Sequence, residues 1–221
     1  MLWYVSSSHL SSRSFILLSN SSSIIQDAKA KCVSGLALLG YFYFDFRDIA
    51  KQDVRGLLTS LLGQLSAKSN PCNHILSQLY SQHNAGSHQP DDQALTECLK
   101  KMLKLPGLPD VYIIVDGLDE CPNTSGFPTA RERVLGLVDE LVQLGLPNLR
   151  FCVTSRPETD ILMALERLTS LRVSLHDEIG QGQDILDYIS TVVHSDPKMG
   201  KWRAEDKQLV IDVLSARSDG M

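Results

Sequence analysis

A short apolar run that ends in a cluster of acids constrains this chain most. Residues 111–115 read Val-Tyr-Ile-Ile-Val, and such a run of β-branched and aromatic types predicts a strand buried on both faces of a parallel sheet. The run stops at Asp116, and Asp119 and Glu120 follow within four residues. Because open α/β sheets bind ligands at the carboxyl ends of their strands, we favour a binding site over an ordinary acidic turn.

The rest of the chain alternates between strand and helix patterns. Apolar runs predict further strands at 2–5, 36–46, 149–154 and 171–175. Composition or helical spacing of apolar residues predicts helices over 24–33, from 53, around 75–80 and 95–103, and near 185–193 and 209–214. A capping box, Thr129-x-x-Glu132, opens another helix that runs through Leu144. This alternation implies right-handed crossovers and an α/β fold, a parallel sheet with helices on both faces.

Composition excludes several classes of partner. The 221 residues suffice for one α/β domain with a small appendage, and 43% of them are hydrophobic. A net charge of −5 gives no reason to expect nucleic acid or an anionic membrane as a partner. No apolar stretch approaches the roughly 20 residues of a spanning helix. Five cysteines without a C-x-x-C pair fit reduced thiols, so we expect a cytoplasmic protein.

One group of residues raises the question of a metal site. Cys72 and His74 stand two positions apart, and His83 and His88 follow. Zinc uses such ligands, but Ser, Gln, Asn and Gly lie between them, so we interpret the segment as a solvated helix end and loop.

A second motif follows the strand predicted at 149–154. The sequence there is Thr154-Ser155-Arg156-Pro157-Glu158, which places a planar, permanently charged donor just after a strand. Alone, such an arginine more often forms a surface ion pair. When Arg156 is paired with the acids about forty residues upstream, it can bind a terminal phosphate. In that interpretation Asp116 holds Mg²⁺ through its water shell, and Asp119 and Glu120 orient an attacking water or tune the ion.

Together the two motifs resemble the NACHT family of STAND-class signalling NTPases, and most closely its nephrocystin-like versions from filamentous fungi. The resemblance covers roughly residues 22–221. It implies a P-loop NTPase-like, parallel five-stranded sheet and Mg²⁺ with ATP or GTP as cofactor. It also implies that Asp116 is the Walker B magnesium residue, that Asp119 and Glu120 are auxiliary acids, and that Arg156 is the sensor arginine.

The amino-terminal residues depart from that family. Its members open with a glycine-rich Walker A loop whose amides and lysine cradle the phosphates. Residues 1–28 here contain neither Gly nor Lys, and residues 1–23 contain ten serines. We therefore expect weak nucleotide binding or none, and doubtful NTPase activity. A transit peptide is an alternative interpretation of this Ser-rich segment, although its single basic residue, Arg13, supports it poorly.

The predicted organisation is an atypical segment 1–21, an NTPase-like core 22–178 and the start of a truncated helical segment 179–221. Two function classes compete. One is an oligomerising signalling switch with impaired nucleotide binding, and the other is a non-catalytic interaction or scaffold module. Protein partners, including self-association, are expected for both. A phosphatase or another class of kinase is disfavoured because no nucleophile or glycine-rich loop supports it.

Overall fold

A computed structural model describes residues 2–6, 29–33, 35–83, 86–124, 126–168, 170–174 and 181–218. The chain divides into two compact units, Met1–Val173 and Ser174–Met221. The strands are β1 (Leu2–Ser6), β2 (Ala37–Tyr43), β3 (Asp110–Asp116), β4 (Leu149–Ser155) and β5 (Leu171–Ser174), and they lie in the first unit up to Val173. The helices of this unit are α1, of which residues 29–33 are described, α2 (Val54–Lys68), α3 (Asn70–Gln82), α4 (Asp92–Leu103), α5 (Ala130–Val142) and α6 (Thr159–Glu166).

The parallel part of the sheet is formed by β2, β3 and β4. The strand order is β2-β3-β4-β1-β5. Strand β3 pairs in parallel with β2 on one side and with β4 on the other, where Val115 lies opposite Val153. The two strands predicted at 111–115 and 149–154 are therefore neighbours in the sheet. Their carboxyl ends meet at one edge, which we call the carboxyl edge.

Strand β1 contradicts the expectation of five parallel strands. It runs antiparallel to β4, so that Leu2 pairs with Ser155 and Ser6 pairs with Phe151. Because a strand rises about 3.3 Å per residue, β1 ends about 13 Å back from the carboxyl edge. Strand β1 therefore runs towards the edge opposite Asp116, whereas a phosphate loop must follow a strand that ends at the carboxyl edge.

One face of the sheet builds the main core against the helices. Alternate strand residues point to this face, among them Phe42, Ile113 and Phe151, which all belong to a single apolar cluster. Helix α2 supplies its central layer with five leucines that are at most 2% exposed, namely Leu57, Leu58, Leu61, Leu62 and Leu65. Asp53 caps α2 by accepting a hydrogen bond from the Gly56 amide. The predicted helix with its leucine stripe is confirmed.

The second face of the sheet is also in contact with helical residues. Tyr112 and Ile114 alternate with the core residues of β3, and both are buried. Lys31 of α1 donates a hydrogen bond to the Tyr112 hydroxyl at 3.0 Å. Residues 24–28 of the predicted first helix lie outside the described residues.

The capping box predicted at the start of α5 is present. Thr129 accepts a hydrogen bond from the Glu132 amide, and the Glu132 carboxylate accepts one from the Thr129 amide. The predicted strand 36–46 is shorter than expected, since β2 ends at Tyr43 and a turn begins after Asp45.

The second unit contains two described helices, α7 (Gln181–Ser195) and α8 (Ala204–Ser218), which pack against each other. A short 3-10 helix, Pro197–Met199, lies between them. Within the described residues of the second unit, the buried apolar residues are Val193 and Ile211. No described helix in either unit is long and apolar enough to cross a membrane.

Candidate functional site

The site begins where β3 and β4 end side by side. Asp116 closes β3, and Thr154 lies one residue before the end of β4. The Thr154 hydroxyl is fully buried, donates a hydrogen bond to the Asp116 carboxylate, and accepts one from the Gly117 amide at 3.0 Å. This hydroxyl therefore fixes the direction in which the Asp116 side chain and the following turn leave the sheet.

Gly117 allows the chain to turn sharply behind Asp116. Its φ of 68° lies in the left-handed region, which costs glycine far less than other residues. A 3-10 helix, Leu118–Glu120, begins directly after it, and Leu118 is fully buried beneath this turn. The buried leucine anchors a short loop, residues 117–121, that we call the acid loop.

Asp119 and Arg156 face each other across the two strand ends. The Asp119 carboxylate accepts a hydrogen bond from the Arg156 amide at 3.0 Å. The same carboxylate lies 3.4 Å from Nε of the Arg156 guanidinium. The Asp119 side chain is 10% exposed, whereas the Arg156 side chain is 79% exposed. The structure therefore brings Asp116, Asp119 and Arg156 to the same edge, and the guanidinium remains open to solvent.

Glu120 turns towards the end of β2 instead. Its carboxylate accepts a hydrogen bond from the Phe46 amide at 3.3 Å. The backbone of Asp116 makes a second link in this direction, because its carbonyl accepts the Phe44 amide at 3.0 Å. The acid loop is thus tied to the chain that follows β2 as well as to β4.

A buried arginine donates hydrogen bonds to the backbone of the acid loop at this edge. Arg131, in the first turn of α5, is 5% exposed and is the one charged residue in the buried class within the described ranges. Its guanidinium donates to the carbonyls of Asp119 and Cys121 at 2.7 and 3.0 Å. It also pairs with the carboxylates of Glu158 and Asp160. Burial opposes its charge, but these carboxylates hold the pKa of Arg131 above its ordinary value.

The negative charge of Asp116 contributes to the raised pKa values of two neighbouring groups. Burial and, second, the negative charge of Asp116 raise the pKa of the Cys152 thiol to about 12. The same two causes raise the pKa of Tyr43, at the end of β2. Cys121, in the acid loop, donates its thiol to the Gln52 carbonyl at 3.2 Å, and burial raises its pKa to about 12. These thiols are packing groups and are unsuited to act as nucleophiles.

We predict that one of the five cysteines reacts with a thiol reagent in the native protein. Cys72, Cys98, Cys121 and Cys152 are buried, whereas Cys32 is partly exposed. A thiol with a pKa of about 12 carries only about one thiolate in 10⁴ molecules at pH 8. Titration with Ellman's reagent at pH 8 should release one equivalent before denaturation and five after it. The Cys32→Ser variant should release none before denaturation, and rapid native release of two or more equivalents would contradict the fold.

Metal ligands do not converge at a single point in this site. No group of three or more His, Cys, Asp or Glu side chains in the described part of the chain is arranged to hold a metal ion. The Cys72 side chain is buried in the core cluster. A magnesium ion differs from such metals because it keeps much of its water shell and needs few protein ligands, and a single carboxylate such as that of Asp116 is a ligand of the kind it uses.

Sequence reasoning missed two residues of this edge, Thr154 and Arg131. The sequence predicts Thr154 only as the last residue of an apolar strand, whereas in the structure its hydroxyl donates a hydrogen bond to the Asp116 carboxylate. Arg131 did leave a signal, because it occupies the apolar stripe of α5. Val134, Leu135 and Val138 follow it at spacings of three, four and seven, and all are buried. A charged residue on that stripe needs buried partners.

The fold and the edge define a class of protein, an α/β protein whose parallel strands carry an acidic cluster and an arginine at their carboxyl ends. Residues 19–156 match the family model described as Nephrocystin 3, N-terminal, and this match spans more than half of the chain. The chain therefore belongs to the nephrocystin 3 N-terminal domain family. No curated protein and no solved structure matches the chain significantly.

Proposed function

We propose that this chain is a NACHT-type signalling module, a nucleotide-regulated switch by descent, whose own binding of ATP or GTP is impaired. The observation that carries this proposal is the grouping of Asp116, Asp119 and Arg156 at the carboxyl edge, where α/β proteins bind ligands. Membership of the nephrocystin 3 N-terminal family agrees with the proposal.

The carboxylates at this edge suit a magnesium ion bound to phosphates. Asp116 would hold the ion through water, and Asp119 would act as an auxiliary acid beside it. Arg156 would meet the terminal phosphate, for which its exposed guanidinium is suited. Glu120, which bonds to the Phe46 amide, would act as an auxiliary acid only after giving up that bond.

The residues that should cradle the phosphates do not fit a nucleotide. Residues 1–28 provide no glycine for an anion-binding loop and no lysine for the β- and γ-phosphates. Strand β1 also leads its chain away from the carboxyl edge. Each charge-stabilising element in phosphoryl transfer is worth a factor of about 10³ or more, so the acids alone do not sustain hydrolysis. We therefore assign no hydrolytic step to this chain.

The direction of β1 favours a second candidate function, a non-catalytic interaction or scaffold module. A sheet with an antiparallel strand beside β4 keeps its packed core while giving up the position of a phosphate loop. In this role the chain would bind protein partners or copies of itself, and the carboxyl edge would be a structural remnant.

Titration calorimetry with Mg-ATP and Mg-GTP tests the proposed impairment. We expect a dissociation constant weaker than about 1 mM for the chain as it stands, corresponding to less than about 4 kcal/mol of binding free energy. The Asp116→Asn variant is the control, because it removes the magnesium carboxylate. Micromolar affinity that disappears in Asp116→Asn would show that the Ser-rich segment does supply a phosphate site.

A further inference from the structure

Arg131 occupies a place that the helix itself does not favour. It lies in the first turn of α5, where the positive end of the helix dipole repels a cation, and its side chain is withdrawn from solvent. Only strong pairing makes such a position tolerable. The partners of Arg131 therefore explain its presence.

Those partners belong to two different segments of the site, the acid loop and the start of α6. Nε and Nη2 donate to the carbonyls of Cys121 and Asp119, in the acid loop after β3. Nη1 donates to the carboxylates of Glu158 and Asp160, which follow β4. One planar group thus connects the segment that carries Asp119 with the segment that carries Arg156.

We propose that Arg131 is a positioning residue that sets the register between the acid loop and the segment after β4, and so holds Asp119 against Arg156. It touches the backbone of Asp119 and a carboxylate two residues beyond Arg156, so it acts on the pair without belonging to it. The use of that pair by a nucleotide rests on the proposed function, whereas the register itself does not.

The geometry requires arginine. All three nitrogens of the guanidinium donate hydrogen bonds. The bonds point in different directions within one plane, towards two carbonyls and two carboxylates. A lysine ammonium keeps the charge but presents its donors from a single atom, so it cannot reach both the acid loop and the start of α6 at once. Arg131→Lys therefore separates a positioning role from a role of charge alone.

The Arg156 amide proton reports the register directly, because it is donated to the Asp119 carboxylate at 3.0 Å. We would measure its NMR chemical shift in the intact chain without nucleotide, so failure of the proposed function does not affect the outcome. Asp119→Ala gives the shift of the unbonded amide. In Arg131→Lys we expect the signal to move at least half of the way to that reference. Arg133→Lys, on the exposed side of the same helix, should leave it in place.

A folded Arg131→Lys protein with an unchanged Arg156 amide would overturn the proposal, whatever its melting temperature. If this variant does not fold, Glu158→Gln combined with Asp160→Asn decides the matter. That pair weakens the anchor after β4 while Arg131 keeps its bonds to the acid loop. The Arg156 signal should again move towards the unbonded reference, and an unchanged signal overturns the proposal.

Discussion

Replacing Arg131 with methionine is expected to lower the free energy of unfolding by about 2–4 kcal/mol. Methionine retains an apolar stem of similar length, but the carbonyls of Asp119 and Cys121 lose their donors in a part-buried region. Breaking a fully buried ion pair costs more, about 3–5 kcal/mol. Here the side chains of Glu158 and Asp160 are 43% and 37% exposed, so water compensates part of their loss.

Urea denaturation followed by circular dichroism measures this effect, and the same helix offers a matched control. The Arg133 side chain is 52% exposed and stands 3.9 Å from Asp92, so Arg133→Met should change the stability by no more than about 0.5 kcal/mol. Equal destabilisation by the two substitutions would contradict the assignment of Arg131 as a buried, multiply bonded group.

The sequence allowed the parallel part of the fold to be predicted because its signals are local and strong. The run 111–115 is continuously apolar, and all five residues are buried in the structure. The capping box at Thr129 and Glu132 fixes the start of α5 through bonds within four residues. Such features depend little on the rest of the chain, and the shared edge of Asp116 and Arg156 follows once two parallel strands are neighbours.

The direction of β1 could not be obtained in this way. A run of five residues such as Leu2–Ser6 has a strand pattern that reads the same in both directions, because alternation and β propensity carry no polarity. The pairing partner and the connection to the next element decide the direction, and neither is encoded in the run itself. The family resemblance supplied a parallel strand, and the structure corrects it.

The buried arginine was missed for a different reason. Periodicity arguments count apolar residues, so a lone arginine at the start of a helix draws no attention, even when it falls on the apolar stripe. Its partners lie 10 to 29 residues away along the chain, in the acid loop and at the start of α6, and only the assembled sheet defines the mutual position of these two segments. Side-chain networks of this kind depend on the tertiary structure, whereas the strand ends that they stabilise are visible in the sequence.

The second large effect is a gain of nucleotide binding when a phosphate cradle is supplied. The design replaces residues 1–21 with a strand of β-branched residues followed by a glycine-rich loop that ends in Gly-Lys-Ser. The new strand is intended to lie parallel to β4 in the place of β1, so that its loop emerges at the carboxyl edge beside Asp116. Backbone amides and the lysine then contribute phosphate affinity, which we do not expect from a segment without glycine or lysine. We expect at least a 100-fold gain, or about 2.7 kcal/mol.

Calorimetric titration of this grafted chain with Mg-ATP examines whether the carboxyl edge keeps the magnesium end of a nucleotide site, as we propose, while the phosphate end is missing. We expect a dissociation constant of about 10 µM or tighter for the graft, against weaker than about 1 mM for the natural chain. Asp116→Asn in the graft, and a graft whose loop lysine is changed to alanine, should each lose at least tenfold in affinity. A folded graft that binds no Mg-ATP, or binds it equally well with Asp116→Asn, would contradict the claim and leave the scaffold function as the better account.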